Sequence, residues 1–400
     1  MASAGLLDAL LQGLITGTII AAGALGLSLI YSIAEVPNFA HGDMITVGAY
    51  LALALNKPGA IPFVPEFGGL PLIAAGVLGI AVAGGTGAVY ELAIFRRFRS
   101  RGADLITMVI VSLGLALVLR NVVLFLVGSG NITYRTERVT NTNVELYLTG
   151  NGLSVQTVQR QAGDLVTLGE WGYGWLSLLA IVGLGVAAGV AVYRWRSDDA
   201  AFETVHLVSP RVLGVAAGIT VLAVLATLLR GPPQAIEGAA WSTSIGVSIK
   251  YAVIIGLTLV TMLAMNLLLK GTKTGRAMRA TADNMALAEV RGVNINRVQL
   301  VVWVIAALLT AMAGVLTGWF ASNLNPNMGF SLLLPIFAAV IMGGITSPYG
   351  SVLAALLIGV SMDVGVFLLP AEFATYRTAI AFVILIAVLL VKPEGLWGDV

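Results

Sequence analysis

Charge and cysteine are what this 400-residue chain lacks. Only 10% of its residues are Asp, Glu, Lys or Arg, against roughly 25% in an ordinary soluble domain. So little charge cannot cover the surface of a soluble protein of this length. Disorder is excluded as well, because disordered chains are polar and highly charged. The absence of cysteine excludes disulfides, thiol catalysis and Cys-based metal sites, and leaves the redox compartment unread. Histidine is nearly as scarce: His41 and His206 lie far apart in sequence and make a weak metal site at best. The formal net charge is +2, and no basic tail interleaved with aromatics is present, so nothing points to nucleic acid. No G-x-x-x-x-G-K-S/T run occurs, so the chain has no phosphate-cradling loop.

What is present is hydrophobic residue, 58% of the chain, gathered in long runs almost free of charge. A membrane-crossing helix needs about 20 mostly apolar residues to traverse a core of about 30 Å. The pattern predicts an all-α fold, a polytopic transmembrane bundle of about eleven spans, with nine to eleven compatible. The spans fall at 9–31, 39–55, 71–93, 105–127, 173–193, 212–229, 248–269, 299–321, 331–345, 351–369 and 375–391. The first is expected to be a retained span rather than a secretory signal, because Met1 to Leu11 has no basic region and the apolar run continues past Ile30. Broken or re-entrant segments are expected near 34–43, at Pro37 and Gly42, and near 343–350, at Gly343, Gly344, Pro348 and Gly350. The second break is compatible with one hairpin or with two short segments.

Loop charges set an orientation, since Lys and Arg accumulate on the cytoplasmic side. The loops 94–104, 194–211 and 270–298, with Lys392, carry 14 Lys and Arg against 7 on the opposite side, and Arg120 falls inside a span. This places the C-terminus in the cytoplasm and, with eleven spans, the N-terminus outside. The whole chain, 1–400, then reads as one transmembrane domain with three special segments. Residues 128–172 form an extracytoplasmic loop, partly alternating as in Val144-Glu145-Leu146-Tyr147-Leu148, with strand character. Asn131-Ile132-Thr133 within it is a glycosylation-type sequon of a kind that often occurs by chance. Residues 173–229 contribute two spans, and 270–298 form a long cytoplasmic loop.

Four small-xxx-small pairs, Gly13/Gly17, Gly185/Gly189, Gly214/Gly218 and Gly314/Gly318, are the kind of surface that lets helix backbones approach closely in lipid. In the cytoplasmic loop, residues 275–292 are rich in good helix formers. Met278, Ala282, Met285 and Ala286 recur at helical spacing, and Gly292 supplies a stop. The expectation is a short amphipathic helix. It could lie on lipid headgroups, serve as a plain connector, or dock a soluble partner in a groove.

Ionisable groups at membrane depth are costly and usually functional. Glu35, Asn38, His41 and Asp43 cluster between the first two spans, beside Pro37 and Gly42. Broken helices often build substrate sites. A zwitterion needs donors for its carboxylate and acceptors for its ammonium, which Asn38, His41 and Asp43 supply. The bland alternative is a turn whose polar groups only cap helix ends or bond one another. Asp363 is a lone acid that could pair with Arg120 or face the pathway, and Glu91 reads as an interfacial ion partner of the Arg96 cluster.

Four blocks carry a family resemblance. Asn38-Phe39-Ala40-His41-Gly42-Asp43 with Gly48-Ala49-Tyr50 is the first. Gly275-Arg276-Ala277-Met278-Arg279-Ala280 with Gly292-Val293-Asn294-Ile295-Asn296-Arg297-Val298 is the second. Ala311 to Gly318 and Gly343 to Gly350 complete the set. In order and spacing they resemble the branched-chain amino acid ABC transporter permeases, in the subunit type with an NFAHG motif, over residues of about 6–127 and 247–397. The resemblance implies a permease subunit, not an enzyme, in the cytoplasmic membrane of a prokaryote. It would translocate branched-chain or hydrophobic amino acids, with relatives that carry urea or short amides. It implies no cofactor in this chain, since ATP binds to partner ATP-binding cassette subunits. A second related permease subunit and an extracytoplasmic solute-binding protein are the other implied partners. Asn38, Phe39, His41 and Asp43 would line the substrate pathway. Arg276, Arg279, Met285, Ala288 and Gly292 would form the coupling helix, with Ala288 and Gly292 as the small residues that let it sit deep in a cassette cleft. Two features depart from the pattern: the extra spans within 165–245, and Asp43 where such permeases often have Glu. The competing classes are an ion-coupled secondary transporter, with Asp43, His41 or Asp363 as proton relay, and an intramembrane hydrolase built on His41 with Ser112 or on Asp43 with Asp363.

Overall fold

A computed structural model describes residues 2–62, 64–136, 142–161, 164–198, 210–233, 241–370, 372, 376–393 and 395–396. Helices form at each expected span. They are α1 (Ala2–Ala34), α2 (His41–Asn56), α3 (Leu72–Tyr90), a short α4 (Arg96–Arg99), α5 (Leu105–Val127), α6 (Trp175–Asp198) and α7 (Pro210–Leu228). The chain continues through α8 (Ile249–Gly271), α9 (Lys273–Asp283), α10 (Met285–Val290), α11 (Ile295–Ala321), α12 (Met328–Gly343), α13 (Pro348–Leu368) and α14 (Arg377–Val391). Among the described residues, seven helices are long and apolar enough to cross a membrane, and α12 and α14 are shorter apolar helices. Three of the eleven expected spans are short, α2, α12 and α14, the last with 15 residues. Both α2 and α12 have 16 residues, about 24 Å at 1.5 Å rise per residue, and neither crosses a core of about 30 Å alone.

The chain divides into two compact units. The larger comprises Ala9–Arg138, Lys250–Leu263 and Lys273–Val400. Its core is built by close backbone approach. Gly13 and Gly17 of α1 lie against Val360, Leu356 and Gly359 of α13, and Gly314 of α11 lies under the Ile45 carbonyl of α2. Gly318 makes room for Leu324 and Tyr134 rather than for another helix. Ala49, Leu53, Val315, Leu324 and Met328 are buried together at one end of α2. There the Asn56 side chain donates to the carbonyls of Leu70 (2.9 Å) and Arg135 (3.0 Å) and accepts from the Arg135 amide (2.6 Å).

The second unit comprises Met1–Asp8, Val139–Ile249 and Ala264–Thr272. It holds a four-stranded antiparallel sheet, in the order β3-β2-β1-β4, made of β1 (Thr142–Thr149), β2 (Gly152–Gln161), β3 (Asp164–Gly174) and β4 (Trp241–Val247). The alternation in 144–148 signals β1 and its neighbours. β4 was not expected, since it comes from the connection between two apolar runs and pairs with β1 across about a hundred residues. Val155, Tyr173 and Ile181 pack the sheet on the α6–α7 hairpin with Leu178, Leu222 and Leu225, and the Tyr173 hydroxyl donates to the Ala226 carbonyl (2.6 Å). Gly185 and Gly189 meet Gly214 and Gly218 across that hairpin, backbone to backbone.

Candidate functional site

The first expected discontinuity is real. α1 ends at Ala34, Glu35 takes a left-handed φ of 54°, and helix resumes only at His41. The connection folds back into the bundle. His41 Nε2 lies 2.8 Å from the carbonyl of Gly23, eleven residues before the end of α1, about 16 Å along its axis. The carbonyl can only accept, so this nitrogen donates, and Nδ1 is left buried without a partner. Asn38 Oδ1 accepts from the Ala40 amide (3.1 Å), and the Phe39 amide donates to Ser112 Oγ of α5 (3.2 Å). These bonds satisfy backbone groups that have no water to turn to.

At the start of α2 the backbone of Gly42 touches that of Gly329 at the start of α12. Thr46 Oγ1 accepts from the Gly329 amide (3.1 Å). The N-terminal ends of the two short helices therefore meet inside the bundle. Asp43 lies in this first turn, 1% exposed, and receives Arg120 of α5 in a bidentate pair: Nε to Oδ1 at 2.9 Å and Nη2 to Oδ2 at 3.2 Å. The Arg120 guanidinium also lies 4.4 Å from the ring centre of Phe330. Phe39 is partly open and its ring centre lies 5.3 Å from that of Phe337.

Two alternatives left open by the sequence are decided in this region. Arg120 pairs with Asp43, not with Asp363, because α2 and not α13 starts beside α5. Asp363 instead meets Arg377 of α14 and accepts from Thr16 of α1 (2.9 Å). Neither hydrolase pair assembles: Ser112 is spent on the backbone of residues 37–39 and on Val109, and the two acids sit in separate ion pairs. Glu91 is the expected ion partner of the basic loop, fully buried in a π-helical turn (Glu91–Phe95) and paired with Arg99. His206 lies outside the described residues, and among those described no group of three or more His, Cys, Asp or Glu could hold a metal.

The second break is a tight turn of four residues between α12 and α13. Gly343 lies against the backbone of Gly350, and Gly344 takes a φ of 96°. Ser28 of α1 donates to the Ile345 carbonyl in this turn (3.2 Å).

The 270–298 loop departs from a single helix. It breaks at Asn284, which caps α10 by accepting from the Leu287 amide (2.8 Å). α10 ends in a complete glycine stop: the Val293 amide donates to the Ala288 carbonyl (3.0 Å) and the Gly292 amide to the Glu289 carbonyl (2.9 Å), with Gly292 at φ 85°. The buried face matches the one spacing suggested only at Met278. Gly275, Met278, Thr281 and Ala288 turn inward, whereas Ala282 and Ala286 are exposed and Met285 is half-buried. Ala288 is 3% exposed, so it faces its own chain and not a partner's cleft. Gly292 is exposed with open space around it, and Arg276 and Arg279 are exposed. The large apolar side chains left bare are Leu287, 54% exposed, and Val290, 84% exposed. Periodicity did not single them out, because Met, Ala, Leu and Val weigh alike in a face count while packing against α11 decides which face closes.

Residues 9–149 and 144–389 match the family described as branched-chain amino acid transport system / permease component. The chain is 36% identical over 165 residues to the high-affinity branched-chain amino acid transport system permease protein LivH of Salmonella typhimurium, 41% of this chain and 53% of that one. Against the Escherichia coli protein of the same name it is 31% identical over 240 residues, 56% of this chain and 76% of that one. The BraD permease protein of Pseudomonas aeruginosa is 35% identical over 155 residues, 38% of this chain and 50% of that one. The chain thus spans about half the length of the Salmonella and Pseudomonas relatives it matches. No solved structure matches.

Proposed function

Because the chain belongs to the branched-chain amino acid transport permease family, we propose that it is the membrane-spanning subunit of an ATP-driven importer of branched-chain or other hydrophobic amino acids. The observation that carries this reading is the pair Leu287 and Val290, bare apolar side chains on a short helix capped at both ends. An exposed apolar knob on a rigid surface helix suits a groove on a soluble partner. That partner is an ATP-binding cassette subunit, which holds the nucleotide this chain has no loop to bind. Exposed Arg276 and Arg279 steer the encounter. Met285, Ala288 and Gly292 act from behind, Met285 and Ala288 by seating α10 and Gly292 by ending it.

A second related permease subunit and an extracytoplasmic solute-binding protein complete the transporter. The loop with α9 and α10 and the C-terminus lie in the cytoplasm, and the N-terminus lies outside. The substrate passes the junction of α2 and α12. Asn38 and His41 hold the re-entrant backbone in place there, Phe39 offers apolar surface, and Asp43 supplies charge.

The test is a Leu287→Asp, Val290→Asp double variant. It should insert normally, lose co-purification with the cassette subunit, and reduce substrate-stimulated ATP hydrolysis at least tenfold. Undiminished stimulation refutes the docking assignment. In a chain without cysteine, Val290→Cys adds a sidedness check: labelling from outside intact cells by a membrane-impermeant thiol reagent overturns it.

A further inference from the structure

The intramembrane network has one member that is not sealed. Asp43 is 1% exposed, but the side chain of Arg120 is 20% exposed. Beside it Phe330 is 45% exposed, and Asn121 and Ser331 are also exposed. Arg120 lies seven residues from the Val127 end of α5, about 10 Å along the axis. A guanidinium that only needed water would reach for that end. This one is held by Asp43, thirteen residues from the Asn56 end of α2, about 20 Å along that helix. Polar surface open at membrane depth is costly against lipid and belongs to a cavity or pathway.

The seam between α5 and α12 continues from this charge as an aromatic lane. Phe330 lies over Arg120, and Phe337, two turns further along α12, meets the partly open Phe39. The Phe39 amide is in turn fixed by Ser112, two turns from Arg120 on α5. A guanidinium at one end and apolar rings beyond it suit a ligand with a charged head and an apolar tail. Arginine grips a carboxylate in a planar fork.

We propose that Arg120 and Asp43 form the receptor for the zwitterionic head of the transported amino acid, with Arg120 taking the carboxylate and Asp43 the ammonium. This rests on the amino-acid reading above and deepens it, because Arg120 joins the site by geometry alone. An ion pair is the complement of a zwitterion. When the head group enters between the two side chains, each charge exchanges one opposite partner for another, and none is left bare. The apolar tail lies toward Phe39 and Phe337. Neutral solutes such as urea need no such pair, so the site selects for amino acids.

The test uses cells expressing the whole transporter and radiolabelled L-leucine. Arg120→Gln alone strands a buried carboxylate and can fail to fold, so the informative variant is Asp43→Asn with Arg120→Gln, which keeps size and hydrogen bonding and removes both charges. It is expected to reach wild-type levels in the membrane with its partner subunits, and to take up L-leucine at least tenfold more slowly. Arg120→Lys, which keeps the charge but not the fork, is expected to fall between the two. Wild-type uptake by the double variant overturns the assignment and leaves the amino-acid reading standing. No L-leucine uptake by the unmodified transporter overturns the amino-acid reading and this receptor with it.

Discussion

A methyl group on Gly329 would overlap the carbonyl oxygen of Gly42. The two glycines, far apart in the chain, bring the ends of α2 and α12 together with no side chain between them. Gly329→Ala is therefore expected to cost about 2 kcal/mol, as overpacking of a tight site does. Gly85→Ala, at a position with nothing within 4 Å, serves as the comparison and is expected to be neutral or mildly stabilising. The melting temperatures of the two variants in detergent check this.

Glu91 is fully buried, and its partner Arg99 is 26% exposed. Removing the guanidinium leaves a carboxylate enclosed in apolar surroundings. Arg99→Ala should destabilise by about 3 kcal/mol, at the lower end for breaking a buried pair because Arg99 is partly hydrated. Adding Glu91→Gln should recover most of the loss, and a double-mutant thermal series measures the recovery.

Gly292 ends α10 at a φ of 85°, where a side chain is strained whatever the space around it. Gly292→Ala should cost about 1 kcal/mol, and Gly292→Asn less, since Asn tolerates this backbone. The expected readout is faster amide exchange at residues 288–293 in the alanine variant and, on the proposed docking of α10, weaker stimulation of ATP hydrolysis by its partner.

Asp104 caps α5, accepting from the Thr107 hydroxyl and from the Thr107 amide (3.1 Å). These bonds hold its carboxyl below the ordinary value of 3.8. A lowered native value means the cap contributes fully above the unfolded value and is lost as pH falls through the native one. Asp104→Asn keeps an acceptor oxygen that does not titrate, so the acid limb of its melting curve, compared with wild type below about pH 4, should be flatter.

Much of this was legible in the sequence. Each apolar run became a helix, because at membrane depth only a helix satisfies its own backbone. Pro37 and the 343–350 glycines marked both interruptions, and Gly292 marked the stop. Partnership was not legible. Arg120 stood alone in its run, and nothing local chose Asp43 over Asp363; that depended on which helix begins beside α5. In the 270–298 loop spacing found Met278 but not Thr281 or Ala288 as inward residues, because small and apolar residues occupy both sides and tertiary packing made the choice. β4 escaped because its partner strand lies about a hundred residues earlier.

The return of residues 35–40 into the bundle carries one more consequence. A chain that runs without helix among buried residues must bring its own substitute for solvent. Here the Asn38 amide, the His41 ring and the Ser112 hydroxyl fill that office for the main chain. The polar side chains of this connection are thus largely spoken for by its own backbone. A change in what the protein selects is better sought at groups that still have a hand free, and Arg120 is the first of them.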